Sequence, residues 1–490
     1  MPTIFYVANL FYSHSKLSCN AIMLTDKIIQ PLKPWYWRSL PLQKRAGSEV
    51  FAALFFHEPI ATLLESPSAL DSGQLSLTRY SICAGSPRTS KGQPQLWTPK
   101  LGSILPFLRS LLKRTQSQNN SQIAHLPFTG GWLGWLGYDV AWEIEQLPSF
   151  NQDTLPFPVA YWYEPECFAV LDRLQQTLWL ATSSSEQLDD LEVRLSTPMP
   201  REKFCSTTAI TYLTSQQQYQ HAVKQAKRYI QEGDIFQANL SLRFQTETTA
   251  DSWSIYQQLQ NINPSPFASF WRSPWGDVIS CSPERLVQLE GNIAQTRPIA
   301  GTRRRGHTTE SDRALAHELL SNAKERAEHI MLVDLERNDL GRVCQWGSVK
   351  VNELLVIERY SHVMHLVSNV RGILKRDRNA IDLIRGVFPG GTITGCPKVR
   401  CMEIIEELES VRRSLFYGSC GYLDCRGNLD LNILIRTLLY VKSTDADTAQ
   451  VYGQVGAGIV ADSDPEREWY ESLNKAEAQI AALQFNTIRS

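Results

Sequence analysis

The sequence predicts an α+β fold in which two packed, largely antiparallel β-sheets are flanked by helices. The first half alternates short aromatic and β-branched runs with Pro and Gly turns, which is typical of strands packed in sheets. The second half mixes helices and strands without the regular alternation that a parallel βαβ sheet requires. With 490 residues, 43% of them hydrophobic, the chain is long enough to bury a large core.

Each half contributes recognisable elements. In the first half we expect strands at 51–56, 132–138 and 177–181. The second half opens with a helix that Ser215 caps, because Tyr219, Ala222 and Val223 fall on one helical face before Gly233 ends it. Further elements are listed by residue number: strands at 235–244, 417–423, 429–440 and 450–455, and helices at 310–320, 324–332 and 466–483.

A polar linker divides the chain. The segment 183–201 ends in Thr197-Pro198-Met199-Pro200, which favours an irregular connection. We therefore expect an N-terminal extension at 1–22, an N-terminal subdomain at 23–205 and a catalytic domain at 214–486.

Charge and cysteine content exclude several classes of protein. Lys and Arg total 49 and Asp and Glu total 50, so a net charge of −1 argues against nucleic-acid or anionic-membrane partners. The ten cysteines form no CxxC pair, which argues against a zinc site and fits reduced thiols in the cytoplasm. The N-terminus lacks the features of a signal peptide, and no run of about 18 apolar residues predicts a transmembrane helix.

Four glutamates occur as two pairs with helical spacing. Glu325 and Glu328 form one i,i+3 pair, and Glu468 and Glu471 form the other, so each pair lies on one helix face. Carboxylate oxygens are ligands that suit Mg²⁺. The alternative interpretation is that each pair lies on a solvated helix face, where Lys and Arg balance its negative charge; this explains the same spacing.

Three further features indicate an anion site. Arg436 lies in the strand expected at 429–440, where an anionic ligand or a structural ion pair would balance it. Gly456-Ala457-Gly458 follows an expected strand, and the glycine loop 388–395 runs into a helical segment, so both can present backbone N–H groups or simply form turns. His365 stands in an apolar run and is either a core residue or a catalytic one.

Taken together, the motifs resemble one family. They include 233–241 (GDIFQANLS), 263–266 (NPSP), 282–284 (SPE), 296–302 (TRPIAGT), 324–341 (KERAEHIMLVDLERNDLG), 388–395 (FPGGTITG), 435–437 (IRT) and 456–460 (GAGIV). Their order is similar to that in the large subunit of anthranilate and aminodeoxychorismate synthases, which are chorismate-utilising enzymes. The resemblance covers residues of about 45 to 485 and implies that family's fold.

The resemblance also implies roles for residues. Glu325, Glu328, Glu468 and Glu471 would surround Mg²⁺, and His365 would act as general acid near the leaving C4 hydroxyl. The remaining substrate-contacting positions would be Arg436, Lys475, Thr392, Thr302, Gly391, Gly456, Ala457 and Gly458.

Gln237 indicates the nucleophile. Isochorismate and salicylate synthases, which resemble this chain, carry a Lys near that position as a base for water. Gln237 cannot deprotonate water, so ammonia is the expected nucleophile. In this family a glutamine amidotransferase subunit supplies ammonia, so we expect such a partner, in a heterodimer or larger assembly.

The identity of the product is the most specific expectation. Thr394, Ser419 and Asn432 resemble the aminodeoxychorismate branch, so we expect 4-amino-4-deoxychorismate, a precursor of p-aminobenzoate and folate. Ala300 stands where many aminodeoxychorismate synthases have a nucleophilic Lys, and Phe416 replaces a frequent Tyr. Anthranilate is the alternative product.

Two further hypotheses come from the resemblance. Glu65 and Ser66, with Pro264 and Pro266, resemble the family's tryptophan pocket, which would bind tryptophan, mediate inhibition or be an inherited core. A non-catalytic chorismate-binding subunit is the alternative to an enzyme, although none of the expected site residues is lost.

Overall fold

A computed structural model describes residues 32–66, 78–114, 121–196, 207–359, 363–444 and 447–484. The expected extension, 1–22, lies outside the described residues. So does 197–206, which includes the end of the expected first domain, and the division into domains stays a prediction.

The described residues form eleven α-helices and two short 3₁₀ helices, Ser121–Ile123 and Tyr138–Val140. The α-helices are α1 (Gly47–Phe55), α2 (Ile104–Leu112), α3 (Ala141–Ile144), α4 (Gln187–Arg194), α5 (Gln216–Gln231), α6 (Ser252–Ile262), α7 (Thr309–Ser321), α8 (Ala323–Val343), α9 (Ala380–Val387), α10 (Lys398–Leu408) and α11 (Pro465–Leu483).

The strands in the described residues alternate with these helices in no regular rhythm. They are β1 (Tyr36–Pro41), β2 (Ala61–Glu65), β3 (Tyr80–Ala84), β4 (Thr89–Ser90), β5 (Gln93–Pro94), β6 (Leu96–Trp97), β7 (Gly131–Leu136), β8 (Ala160–Tyr163), β9 (Cys167–Asp172), β10 (Thr177–Thr182), β11 (Thr211–Tyr212), β12 (Gln237–Thr248), β13 (Phe267–Ser273), β14 (Gly276–Ser282), β15 (Arg285–Glu290), β16 (Ile293–Arg297), β17 (Ile299–Arg304), β18 (Lys350–Arg359), β19 (Val363–Ile373), β20 (Gly395–Cys396), β21 (Ser419–Asp424), β22 (Leu429–Asn432), β23 (Thr437–Lys442) and β24 (Ala449–Ile459).

Two large antiparallel sheets organise the fold. Twelve described strands form the first sheet, in the order β1-β10-β9-β3-β2-β13-β14-β23-β24-β12-β11, with β20 paired to β12. Ten form the second, in the order β17-β19-β16-β15-β22-β21-β7-β8-β6, with β18 paired to β19. The strands β4 and β5 pair separately. This arrangement confirms the α+β prediction of two largely antiparallel sheets flanked by helices.

Both sheets take strands from both halves of the chain. In the first sheet β2 pairs with β13, and in the second β7 pairs with β21. The polar linker therefore does not separate the sheets, because hydrogen-bonded ladders join the two halves in each of them.

Neighbouring residues on one strand enter two different cores. Trp271 packs between the two sheets with Trp135, whereas Phe270 points to the other face of the first sheet. Helices α1, α5, α6 and α11 cover that outer face, where Phe51 stacks on Trp253 at 4.9 Å. Successive side chains of a strand alternate in direction, so one sheet can be buried on both faces.

The strand expected at 51–56 is wrong, since these residues lie in and just after helix α1. Val50, Phe51, Leu54 and Phe55 repeat at helical spacing and are all buried. The Glu49 carboxylate accepts a hydrogen bond from the Ala46 backbone N–H at 2.7 Å, which favours the helix start. An apolar run of this length fits either element, and burial on one helical face decides here.

The strand expected at 429–440 is also wrong as a single element. It splits into β22 of the second sheet and β23 of the first, and Arg436 between them has a φ of 50°. The chain crosses between sheets here, so Arg436 does not lie within a strand as expected. Conversely, Gly456–Gly458 do not follow a strand but lie within β24, which pairs with β12 as far as Ile459.

Other expectations hold with shifted ends. The helix expected at 324–332 extends to Val343, and the closing helix is α11. Ser215 caps α5 by accepting a hydrogen bond from the Gln218 backbone N–H. Within the described part of the chain, no helix has the length and apolar character needed to cross a membrane.

Candidate active site

Helices α8 and α11 bring the two glutamate pairs together. Burial raises the pKa of Glu328, and the negative charges of Glu325, Glu471 and Glu468 raise it further. Charges influence one another in this way only at short range. The fold therefore joins two pairs that lie about 140 residues apart in the sequence into one acidic cluster.

Cationic side chains neutralise most of this cluster. Arg303 contacts Glu325 at 3.1 Å, Lys324 contacts Glu328 at 3.8 Å and Lys475 contacts Glu471 at 2.9 Å. Across the described ranges, no group of three or more His, Cys, Asp or Glu side chains is arranged to hold a metal ion directly. Coordination by all four glutamates would therefore require these cations to move.

Glu468 has the feature that best fits a bound cation. Its Oε2 atom is buried and has no hydrogen-bond partner among the described residues, and burial raises its pKa. A buried carboxylate oxygen without a partner is costly unless a cation or a donor reaches it. The donor chemistry, four carboxylates with one unsatisfied oxygen, suits Mg²⁺.

Arg436 lies at the crossing between the sheets. Its side chain is partly buried, and burial lowers the pKa of its guanidinium. Its Nη1 atom donates to Asn263 Oδ1 at 3.1 Å, and no carboxylate forms a salt bridge with it in the described ranges. Of the two alternatives for Arg436, the structural ion pair is thus not observed among the described residues.

His365 lies on β19, directly opposite Thr302 of β17. Its Nδ1 atom and Thr302 Oγ1 share a hydrogen bond of 3.0 Å. Burial lowers the pKa of His365 to about 3, and the nearby charge of Arg436 adds to this effect. The imidazole is therefore neutral at neutral pH in this arrangement, so it can donate a hydrogen bond but holds no extra proton to transfer.

Glu284 is a site residue to which the sequence analysis assigned no role. Thr392 Oγ1 donates a hydrogen bond of 2.6 Å to Glu284 Oε1. Burial raises the pKa of Glu284 to about 8, and the charge of Glu336 raises it as well. Glu284 therefore carries a proton at neutral pH. Its place in the SPE motif was visible, but only the fold shows that its carboxyl is buried beneath the glycine loop.

Gln237 and Asn239 present unsatisfied acceptors from β12. Both side-chain oxygens, Gln237 Oε1 and Asn239 Oδ1, are buried and lack a hydrogen-bond partner in the part of the chain described. A Cβ atom at Gly458 would overlap Gln237 Nε2, so the glycine makes room for the amide. Asn239 Nδ2 donates to Thr392 O at 3.4 Å, which connects β12 to the glycine loop.

The small residues of β24 face this region along one strand edge. β23 pairs with β24 only as far as Gly453, so no described strand pairs with that edge from Gln454 onward. Lys475 Nζ donates to Gly456 O at 3.1 Å. Ala457 is fully buried in the core, so its side chain is not available to a ligand.

The glycine loop is closely fitted to α8. A Cβ atom at Gly391 would come within 2.5 Å of Leu335 Cδ2. Thr394 Oγ1 donates to Gly390 O at 2.8 Å, inside the loop, so its hydroxyl is already engaged. Asn432 is likewise engaged, since its Oδ1 accepts from the Cys420 backbone N–H at 2.9 Å. Phe416 lies buried under Arg243, 5.5 Å from the guanidinium carbon.

A separate cavity of about 110 Å³ lies between the sheets. Glu65, Ser66 and Pro266 line it, as the sequence analysis expected of a tryptophan pocket, but Pro264 is not among its lining residues. Arg285 and Asp430, which form a salt bridge of 2.8 Å, lie on its wall. The Glu65 carboxylate is occupied by hydrogen bonds from Tyr256 and Gln260.

Comparison with known proteins gives the class. Residues 63–481 match the family described as chorismate binding enzyme, and the chain belongs to that family. It is 61% identical to a Synechocystis protein named anthranilate synthase component I-like protein, over 93% of each chain. It is 41% identical to aminodeoxychorismate synthase component 1 of Bacillus subtilis, over 92% of this chain and 97% of that protein.

A solved structure agrees with the fold. The crystal structure of anthranilate synthase component I from Streptococcus pneumoniae superposes with a TM-score of 0.70 at 34% identity. The match covers 85% of this chain and 93% of that one. The family resemblance stated from the motifs is thereby confirmed, and the fold it implied is the one observed.

Proposed function

We propose that this chain aminates chorismate with ammonia, as the synthase component of a two-component enzyme. Arg436 carries the proposal, because its partly buried guanidinium has no carboxylate partner in the described ranges and lies beside a neutral His365. A buried cation of this kind is stabilised by an anionic ligand, and chorismate has two carboxylates.

Further candidate binding groups come from other elements. Lys475 is a second cation at the open edge of β24, where Gly456 and Gly458 let a ligand approach the backbone. Thr302 orients His365, whose neutral imidazole would donate a hydrogen bond to a substrate oxygen. Thr392 and Gly391 would supply a hydroxyl and a backbone segment from the glycine loop.

Glu284 and Gln237 would have different roles in the reaction, one as a proton donor and the other as a hydrogen-bond acceptor. Glu284 is protonated at neutral pH, so it would donate that proton to the departing C4 hydroxyl, which leaves as water. Gln237 has no basic group, so it cannot activate water, but its free Oε1 can accept a hydrogen bond from ammonia. This division assigns to Glu284 the acid role that the family resemblance implied for His365.

Mg²⁺ is the cofactor we propose. Glu325, Glu328, Glu468 and Glu471 would hold it, with the unsatisfied Glu468 Oε2 as one ligand atom. When bound, it would offset the dianionic charge of chorismate and polarise the region of the C4 hydroxyl.

A partner subunit follows from the choice of nucleophile. Ammonia is mostly protonated at neutral pH, and its conjugate acid is not a nucleophile. The relatives are named component I or component 1, which indicates a second component in each of them. We propose a glutamine amidotransferase subunit that delivers ammonia to the Gln237 side of the site.

Two products are compatible with this chemistry. The names of the Synechocystis relative and of the Streptococcus pneumoniae structure favour anthranilate, formed by amination at C2 and loss of pyruvate and water. Ala300, in place of a nucleophilic Lys, agrees with that product. The internal hydrogen bonds of Thr394 and Asn432 weaken the case for aminodeoxychorismate, because both side chains are already engaged within the protein.

One specific observation supports aminodeoxychorismate, the product that the motifs favoured. The Bacillus subtilis aminodeoxychorismate synthase aligns over 97% of its own length, so the whole of that relative has a counterpart here. Loss of the C4 hydroxyl as water, with ammonia added at C4, would leave the enolpyruvyl group in place.

A single assay tests the function and separates the products. The purified chain is incubated with chorismate, Mg²⁺ and ammonium at alkaline pH, and products are separated by chromatography with fluorescence detection. Anthranilate appearing directly supports the first product, whereas aminobenzoate appearing only after an added lyase supports the second. Chorismate binding without either product would favour the non-catalytic subunit and contradict the proposal.

The cavity between the sheets would bind tryptophan. Ser66 and Pro266 line it, as expected for the family's pocket. Calorimetric titration with tryptophan tests this role, and the synthase assay with added tryptophan then separates an inhibitor from a structural ligand.

A further inference from the structure

Two buried carboxyl groups support two consecutive residues of the glycine loop. Thr392 Oγ1 donates to Glu284 Oε1 at 2.6 Å, and the Gly391 backbone lies beside the Glu336 carboxyl group and lowers its pKa. Glu284 is 3% exposed and Glu336 is 7% exposed. Glu336 is one of the two α8 residues that approach Gly391 most closely, since a Cβ atom there would lie 3.3 Å from Glu336 Oε1. The loop therefore rests on both carboxyl groups at once.

A buried cation, Lys398, lies close to the carboxylates of Asp339 and Glu336 beneath the glycine loop. Lys398, the first residue of α10, forms a short ion pair with Asp339 and donates to Val387 O at 2.8 Å. Asp339 follows Glu336 by three residues on α8, so both carboxylates face the same ammonium group. Arg342, further along α8, also contributes positive charge to Asp339.

Several charged groups on the other elements packed against α8 form contacts of their own. Asp382 of α9 pairs with Arg109 and Arg378, and Arg297 of β16 pairs with Glu353 and Glu358 of β18. Arg303 of β17 pairs with Glu318 and Glu325, and His365 of β19 shares a hydrogen bond with Thr302. The immediate electrostatic neighbours of Glu284 and Glu336 are therefore Asp339 and Lys398.

We propose that Glu336 is a positioning residue for the reaction: it holds the Gly391 amide and, as the charged neighbour of Glu284, keeps the proton on the Glu284–Thr392 pair. This inference rests on the proposed function, in which Glu284 donates that proton. Glu336 itself touches the loop rather than the substrate.

The order of ionisation agrees with this role. Burial raises the pKa of both carboxyl groups; for Glu336 the negative charge of Asp339 adds to the rise and the positive charge of Lys398 opposes it. The pKa of Glu336 is raised to about 7 and that of Glu284 to about 8, so Glu336 ionises at the lower pH. Its negative charge then raises the pKa of Glu284, so the proton that remains is held by the residue bonded to Thr392.

Glu336→Gln tests the charge while keeping an acceptor for the Gly391 amide. We expect the basic limb of the kcat/KM profile to move to lower pH by about half a unit to one unit, because the repulsion that raises the pKa of Glu284 is lost. The KM for chorismate should change less than about twofold. Glu336→Ala, which also removes the acceptor, should in addition lower kcat at every pH.

Asp334→Asn is the matched control, since Asp334 lies on the same helix with its side chain 62% exposed. It removes one carboxylate at the surface, and its pH profile should coincide with that of the unsubstituted chain. If the basic limb of the kcat/KM profile lies at the same pH in Glu336→Gln as in the unsubstituted chain, the proposal is overturned.

Infrared difference spectra provide a readout without turnover. The C=O stretch of a protonated carboxyl group differs from that of a carboxylate, so the difference between the pH titrations of the full chain and of Glu284→Gln isolates the Glu284 band. We expect a band that titrates near pH 8 and is lost in Glu284→Gln, with circular dichroism confirming that the variant is folded. In Glu336→Gln this band should titrate at lower pH.

An unchanged titration in Glu336→Gln would overturn the inference even if the chain makes an amine. A shifted titration supports it whether or not an amine is formed, because the spectra report only the carboxyl pair. Failure of the amination assay would instead contradict the proposed function, so the two outcomes are distinguishable.

Discussion

Thr302 Oγ1 and His365 Nδ1 share a hydrogen bond of 3.0 Å across the β17–β19 pair. The bond holds the imidazole ring in one orientation, so the ring does not need to be ordered when substrate binds. A threonine hydroxyl can donate to or accept from Nδ1, and this choice determines which ring nitrogen carries the proton.

Thr302→Val should lower kcat by about tenfold, because it removes a hydrogen bond of about 1 kcal/mol or more while keeping the side-chain volume. The KM for chorismate should change little. Steady-state kinetics measures both. Thr302→Ser retains the hydroxyl and should recover most of the rate, so equal rates for the Val and Ser variants would contradict the positioning of His365.

Arg436→Gln should raise the KM for chorismate by roughly 30- to 100-fold, since a charge-assisted hydrogen bond contributes about 2–3 kcal/mol. Steady-state assays at saturating ammonium measure the change. Arg304→Gln is the control, because the Arg304 side chain is 86% exposed and its neutralisation should leave KM unchanged. Equal KM values for the two variants would remove Arg436 from the binding site.

Gly458→Ala should displace Gln237, because the added methyl group would overlap Gln237 Nε2. We expect activity with ammonium to fall at least about tenfold while thermal unfolding shows a folded protein. Gly341→Ala is the control, since a Cβ atom at that position of α8 would have no described atom within 4 Å apart from its chain neighbours and the adjacent helix backbone. Full activity in Gly458→Ala would show that the position of the Gln237 amide is not required.

The stability of the chain should depend on pH through Glu284. Its pKa rises from an ordinary 4.5 to about 8 in the folded protein, because burial disfavours the charged carboxylate. A group whose folded pKa is raised contributes stability that is complete below about pH 4.5 and is lost as the pH rises to about 8.

Urea unfolding at about pH 5 and about pH 8 measures this loss. We expect a larger decrease in the free energy of unfolding for the unsubstituted chain than for Glu284→Gln, which cannot ionise. Equal decreases in the two proteins would show that Glu284 is not held protonated by burial.

Glu468→Gln should weaken Mg²⁺ binding by at least about tenfold, because it replaces a charged oxygen ligand with a neutral amide. Calorimetric titration with Mg²⁺, with and without chorismate, measures the affinity. Glu466→Gln is the control on the same helix, where the side chain is exposed and lies in the first turn. Unchanged Mg²⁺ affinity in Glu468→Gln would contradict the metal assignment.

Much of the fold was predictable because local patterns agreed with it. Ser215 caps α5, and the helical spacing of Tyr219, Ala222 and Val223 matches its buried face. The run at 51–56 was not predictable, since an apolar segment of six residues fits a strand or a helix equally well and tertiary burial decides between them.

The candidate site shows the same division. By itself, the sequence determined the family, the Glu325/Glu328 and Glu468/Glu471 pairs and the residue types at His365, Gln237 and Arg436, because motif order and spacing are local properties. Only the tertiary structure decided that the two pairs share one cluster, that Arg436 lies at the crossing of the sheets, and that Glu284 is buried against Thr392. A pKa depends on burial and on charges from distant segments, and neither exists until the chain is folded.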